Sequence, residues 1–241
     1  MSPLHRHRCR KALAAAFVLG SVTLVAGASP VPAAAQARPR VLILGDSISI
    51  GYTPIVQELM QDEAIVLRPM TDAGRPENCE GTTKGVEAID RWLQIDGGRW
   101  DVIHFNFGLH DLKRVDPDTR QNSDDPTHPR QAEPEAYERN LRAMVAQLKA
   151  TGAALVFATT TPVPEGGVRP HRDVDDPGRY NAIAQRVMRE HGIAVNDLYA
   201  LVLPRLEEIQ QPVNVHFTAE GSRLMAEAVA AAIRARLGGG R

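Results

Sequence analysis

The sequence predicts one α/β domain, a parallel sheet covered by helices on both faces, and three observations predict it. Short apolar runs take turns with stretches of helical spacing, the pattern of strands joined by crossover helices. The apolar runs are continuous rather than alternating, as expected of strands buried on both faces. The 241 residues, 43% of them hydrophobic, with a formal net charge of -1, suit a globular chain with one core.

Each element can be placed in order. Val41-Leu42-Ile43-Leu44, ending at Gly45, is the central first strand. Thr53 to Met60 carries helical spacing at Ile55, Val56, Leu59 and Met60, and Ile65-Val66-Leu67 is the second strand. A helix around Val86 to Leu93, a strand at Val102 to Phe105, a helix around Glu135 to Lys149 and a strand at Ala154 to Ala158 continue the alternation. A helix from about Tyr180 to His191, a strand at Ile193-Ala194-Val195 and a closing helix from Ala219 to Leu237 complete it. Two connections exceed what joining elements requires, Lys113 to Pro134 and Pro162 to Gly178. Solvated surface and control of substrate access are equally good readings of them, because both leave the sheet near the carboxyl ends of strands.

The amino terminus reads differently. Arg6, Arg8, Arg10 and Lys11 precede an alanine-rich apolar run from Ala12 to Ala28, and Ala35-Gln36-Ala37 offers a cleavage site. Residues 1–37 are therefore expected to be a cleaved signal peptide and residues 38–241 the mature domain, secreted or periplasmic. A retained anchor is the alternative, but the run is short and interrupted by Gly, Ser and Thr, so no stable membrane insertion is expected after cleavage. Removal of the leader takes Cys9 and leaves Cys79 alone, which permits no internal disulfide. Near-neutral charge gives no reason to expect nucleic acid as a partner. The metal-binding spacings Cys-x-x-Cys and His-Glu-x-x-His are absent, so no metal or organic cofactor is expected.

The chemistry-bearing residues start with Gly45-Asp46-Ser47, which puts a serine hydroxyl on the turn after the first strand. A serine hydroxyl barely ionises at neutral pH and attacks only if an imidazole takes its proton. Of eight histidines, His5 and His7 leave with the leader, His104 lies within a strand pattern, His128 and His171 fall in polar loops, and His191 ends a helix. His216 stands apart, in Asn214-Val215-His216-Phe217-Thr218 just before a helix that Thr218 can cap.

Taken in order, Gly45-Asp46-Ser47, Gly81, Gly108-Leu109-His110-Asp111 and His216 resemble the blocks of the SGNH/GDSL hydrolases, across nearly the whole mature chain. The resemblance implies a three-layer α/β/α fold with a mostly parallel, about five-stranded flavodoxin-like sheet. It also implies ester hydrolysis, with Ser47 as nucleophile, His216 as base, and an oxyanion hole made by the N–H groups of Ser47 and Gly81 with His110. Two positions depart from the family pattern. His110 replaces the usual asparagine of Gly-x-Asn-Asp, as in a branch with Gly-Leu-His-Asp, and a neutral imidazole still offers one N–H; the alternative is that His110 only ties down a loop through its neighbour Asp111. The usual acid three residues before the histidine is replaced by Val213.

Several groups are open as the orienter of His216. The side-chain oxygen of Asn214 or a backbone carbonyl near Val213 leads; Asp197, or Asp173, Asp175 or Asp176 in the long loop, are alternatives. A catalytically weak or inactive module that binds carbohydrate or cell-envelope ligands is the rival function. For the enzyme, the expected substrate is a small-molecule or glycan ester. Aromatic residues are only 5% of the chain and no lipase-like lid pattern is visible, so short acyl groups such as acetyl are favoured.

Overall fold

The computed structural model describes residues 37–239; the expected leader, up to position 36, lies outside the described residues. Five parallel strands form one sheet: β1 (Arg40–Leu44), β2 (Ile65–Leu67), β3 (Val102–Phe105), β4 (Ala154–Ala158) and β5 (Ala194–Asn196), in the order β2-β1-β3-β4-β5. The interior strands carry unbroken buried runs because both faces are covered.

The covering helices are α1 (Ser47–Leu59), α2 (Thr82–Leu93), α3 (Pro134–Ala150), α4 (Asp176–His191), the short α5 (Leu198–Val202) and α6 (Leu206–Ile209), and α7 (Ala219–Gly238). The first helix packs on the last, α1 on α7, while α2, α3 and α4 pack in series, which gives the expected three layers. Between them the core gathers Leu42, Ile43, Phe105, Phe157, Trp92 and Val229, all fully buried. At ~25 cal/mol per Å² of apolar surface, this burial is the main force holding the fold. The one described cysteine, Cys79, is a free, buried thiol, so no cross-link contributes among the described residues.

Boundaries moved in an instructive way. Helix α1 begins at Ser47 rather than Thr53, because the Asp46 carboxylate accepts from the Ile48 N–H at 2.9 Å and caps it. Gly51 and Pro54 disguise its first turns as a loop. Helix α4 starts at Asp176 rather than Tyr180, with Pro177 in its first turn where a missing N–H costs nothing. Strand β5 sits one residue later than expected, and α5 and α6 were not legible at all.

The topology determines where chemistry can occur. From β1 the chain turns toward β2 on one side, and from β3 toward β4 on the other. The carboxyl ends of β1 and β3 therefore flank a switch point, where open α/β sheets leave a crevice. Ser47 follows β1 and His110 follows β3.

Candidate active site

Ser47 is the first residue of α1. Its N–H has no protein partner among the described residues and sits at the positive end of the helix, where developing negative charge is favoured. The loop carrying Gly81 is stitched to the same turn, the Cys79 N–H donating to the Gly45 carbonyl at 3.2 Å. Gly81 caps α2 in extended conformation. A side chain there would collide with the Asp111 carboxylate, a built Cβ falling 2.8 Å from Oδ2. Residue 80, immediately before it, is held in the left-handed region at φ 57°, a strain that accompanies sites whose surroundings fix them.

Asp111 explains why the two loops meet. Fully buried, it accepts from the Thr82 N–H at 2.9 Å and from the Thr82 hydroxyl at 2.5 Å. Burial pushes its carboxyl up to about 7 against these hydrogen bonds. The loop after β3 is thereby locked to the N-terminus of α2. Close approach forces glycine at position 108 as well, since a Cβ there would lie 2.0 Å from the Thr160 hydroxyl.

His216 occupies the loop between α6 and α7. That loop is closed by an antiparallel bridge between Gln210 and Phe217, by the Gln211 N–H donating to the His216 carbonyl at 2.9 Å, and by Thr218, which caps α7 through the Gly221 N–H at 3.2 Å. Its Nε2 stands 2.9 Å from the Ser47 Oγ and its Nδ1 stands 2.7 Å from the Asn214 Oδ1. The same Oδ1 accepts from the His216 backbone N–H at 3.0 Å. A backbone N–H only donates, so this atom of Asn214 has to be the oxygen, and an oxygen at Nδ1 requires the proton on Nδ1. The Nε2 lone pair is then free to face the Ser47 hydroxyl. Burial first, and then the Arg172 guanidinium, hold the His216 ring below the usual imidazole value, so it is unprotonated at neutral pH. Val213 precedes this unit with φ 52°, an unusual conformation for a β-branched residue.

The alternative orienters are occupied elsewhere. Asp197 caps α5 and accepts from the Thr159 hydroxyl at 2.9 Å. Asp173 pairs with Arg114, Arg130 and His171, and Asp176 with Arg130; Asp175 is the residue preceding α4, and the side-chain hydrogen bonds of His216 go to Asn214 and Ser47 instead. Of the other described histidines, His104 is buried in β3 and pushed down to about 3 by burial. His171 pairs with Asp173, His128 lies near Asp125 and His191 ends α4.

His110 lines the same cavity of about 620 Å³ as Ser47, Asn214 and His216. Burial, and next the Lys113 ammonium, push its ring down to about 3, so it is neutral with one N–H. Its Nδ1 is 3.4 Å from the Lys113 Nζ, a cation that can only donate, which favours the proton on Nε2. Gly81 itself is buried and is not among the lining residues, whereas Asn78 of its loop is.

Both long loops reach the cavity, the first through Lys113 and Asn122, the second through residues 167–170 and Arg172. They border the cavity, which is the placement the access reading expects. Lys113 and Arg172 were invisible as site residues, because isolated cations in charge-rich loops carry no spacing signal. Among the described residues no cluster of His, Cys, Asp and Glu is arranged to hold a metal ion, and no helix is long and apolar enough to cross a membrane.

Residues 43–224 match the model of the GDSL-like lipase/acylhydrolase family. Among solved structures, a lipase/acylhydrolase from Enterococcus faecalis superposes with a TM-score of 0.62 at 22% identity, over 82% of this chain and 96% of that one. A catalytic mutant of an acetylxylan esterase from Geobacillus stearothermophilus gives 0.61 at 16% identity, over 81% and 94%, and another acetyl xylan esterase 0.61 at 16%, over 80% and 99%. These likenesses are of fold. No curated protein matches the sequence.

Proposed function

The chain belongs to the GDSL-like lipase/acylhydrolase family and is an ester-hydrolysing enzyme; from that premise we propose an exported serine esterase that removes short acyl groups through an acyl-enzyme on Ser47. The observation that carries this reading is the continuous relay from Asn214 Oδ1 through both nitrogens of His216 to the Ser47 Oγ, with contacts of 2.7 and 2.9 Å. Such a chain of contacts serves nucleophile activation and has no evident structural purpose.

The steps follow from the proton positions. Ser47 Oγ attacks the ester carbonyl as its proton moves to His216 Nε2, and the tetrahedral oxyanion forms against the Ser47 and Gly81 N–H groups and the His110 Nε2–H. The protonated His216 returns the proton to the leaving alcohol. Water then repeats the sequence on the acyl-enzyme. Asn214 keeps the ring in the correct tautomer throughout. Each oxyanion donor is worth about 100-fold or more in rate, and the helix N-terminus at Ser47 adds to it.

Short acyl groups are supported by a cavity whose lining is rich in Lys, Arg, His and Asn, a poor environment for a long alkyl chain. The acetyl esters named for two of the similar structures point the same way. A glycan or small-molecule ester outside the cytoplasm fits the leader-like residues 1–37.

Two measurements test the proposal. Hydrolysis of p-nitrophenyl acetate, butyrate and octanoate should fall in that order and vanish in Ser47→Ala; a preference for octanoate overturns the short-acyl assignment. For export, the mature protein recovered from outside the cytoplasm should begin near residue 38, and an intact terminus there contradicts cleavage.

A further inference from the structure

The cavity beside Ser47 is cationic in a way that the composition does not explain. The chain as a whole carries a net charge of -1. Yet the lining includes Lys113, Arg169 and Arg172 and contains neither Asp nor Glu. Two of these cations are nearly inaccessible, Lys113 at 7% and Arg172 at 6% exposure. Neither makes an ion pair among the described residues, whereas Arg114 and Arg130 in the same loops are paired with Asp173. Arg169, exposed at the rim, meets Asp124 at 3.2 Å.

No acid pairs directly with either cation among the described residues: Glu80 and Asp111 act on Lys113, and Asp46 on Arg172, only from beyond ion-pair distance, and Glu80 is itself engaged by Lys84 at 3.2 Å. Withdrawing a charge from water without a counter-ion is costly, and a fold that retains two such charges at one cavity has a use for them.

The hydrogen bonds of Arg172 show what remains available. Its Nε donates to the Leu109 carbonyl at 2.8 Å and its Nη1 to the Pro170 carbonyl at 3.1 Å. These bonds hold the guanidinium rigidly between the loop after β3 and the second long loop. The Nη2 group and the second Nη1 proton have no partner among the described residues. That free edge suits a carboxylate, which accepts two parallel N–H bonds. A point charge at Lys113 on the same wall adds attraction without demanding geometry.

We propose that Arg172 and Lys113 form an anion subsite beside Ser47, with Arg169 at its rim, and that the preferred substrate is an ester bearing a carboxylate in its acyl or alcohol part. The assignment rests on the esterase reading for its substrate and on the unpaired cations for its chemistry. A carboxylate seated there anchors the ester away from the reacting carbonyl, so that binding energy positions the bond to be cut.

The test compares matched pairs: p-nitrophenyl hemisuccinate with its methyl ester for the acyl side, and 4-acetoxybenzoate with its methyl ester for the alcohol side. At low salt, kcat/KM for at least one free acid should exceed that of its methyl ester by about tenfold or more, the weight of a hydrogen-bonded ion pair. The preference should fall as salt rises and shrink by about fivefold or more in Arg172→Gln and in Lys113→Gln, with Arg172→Lys intermediate. Inorganic sulfate and phosphate as competitors distinguish a carboxylate subsite from a general oxyanion one, and inhibition by them tighter than by succinate overturns the carboxylate assignment. If wild type cleaves both methyl esters at least as well as the acids, or if neither folded variant changes the ratio, the subsite is wrong and the esterase stands. If no ester is cleaved, the esterase reading fails, and calorimetric binding of 4-acetoxybenzoate to the Ser47→Ala protein decides the subsite alone. Binding lost on adding Lys113→Gln supports it, and no binding overturns it.

Discussion

Replacing Asn214 with aspartate should make this enzyme faster. In serine proteases the reverse exchange, acid to amide, costs about 10⁴ in turnover, in large part because the amide selects the wrong imidazole tautomer. Here that part of the loss is not incurred. Asn214 presents its oxygen to His216 Nδ1 at 2.7 Å, held that way by the His216 backbone N–H at 3.0 Å and by its own Nδ2 donating to Gln211 at 3.3 Å. What the amide lacks is charge. A carboxylate about 4 Å from the centre of an imidazolium is worth about 1 kcal/mol in water and about 4 at an effective dielectric of about 20. The site is half-buried, so a value near 2 kcal/mol is reasonable, or about 30-fold in kcat. The exposed Gln211 side chain can turn its own amide away from the new carboxylate. The pH profile should move too. Burial and Arg172 hold the wild-type ring below its ordinary value, so the acid limb of kcat/KM should lie below about pH 6.5 and shift upward in Asn214→Asp. The assay is kcat and kcat/KM for p-nitrophenyl acetate across pH. A fall in kcat with an intact fold, or an acid limb that does not move, would refute the reasoning.

Further outcomes follow from other contacts. His110→Asn should keep much of the wild-type rate while His110→Ala loses about 100-fold; equal, small losses in steady-state kinetics would assign His110 to loop packing. Gly81→Ala forces a Cβ to within 2.8 Å of the Asp111 carboxylate and should lower stability by about 1–3 kcal/mol in chemical denaturation. Val213→Asn relieves a β-branched residue held at φ 52° and should raise stability by about 1 kcal/mol. Between pH 5 and 6.5 two sets of groups oppose each other. Asp46 and Asp111, pushed up to about 6 and 7, favour the fold toward acid, and His104 and His110, both pushed down to about 3, together with His216, held below its ordinary value, disfavour it as pH drops through the unfolded imidazole value. His110→Asn removes one of the opposing groups, so relative to wild type its stability, read by melting temperature across this range, should gain up to about 1.4 kcal/mol per pH unit of acidification.

Much of the fold was legible because the strands state their burial directly. Val41 to Leu44 and Val102 to Phe105 are unbroken apolar runs apart from His104, and all lie in the sheet interior. Helix starts were less legible. Asp46 and Ser47 are ordinary turn residues, and only the Asp46 cap shows that a helix begins there. The Ser47–His216 meeting was legible from the order of motifs, whereas the orienter was not narrowed beyond the side-chain oxygen of Asn214 or a backbone carbonyl near Val213, because only the local fold at Asn214 brings its Oδ1 to His216 Nδ1 at 2.7 Å. Lys113 and Arg172 were not, because their significance is the absence of a partner, and an absent contact leaves no mark on the sequence.

Intact-mass analysis after exposure to a fluorophosphonate probe tests the central claim most directly, since such a probe reacts with an activated serine and not with an ordinary one. The wild-type protein should gain one adduct, mapped to Ser47, with none on Ser47→Ala and slow labelling on His216→Ala. A folded wild type that stays unmodified, or an adduct that persists when Ser47 is replaced, would contradict it.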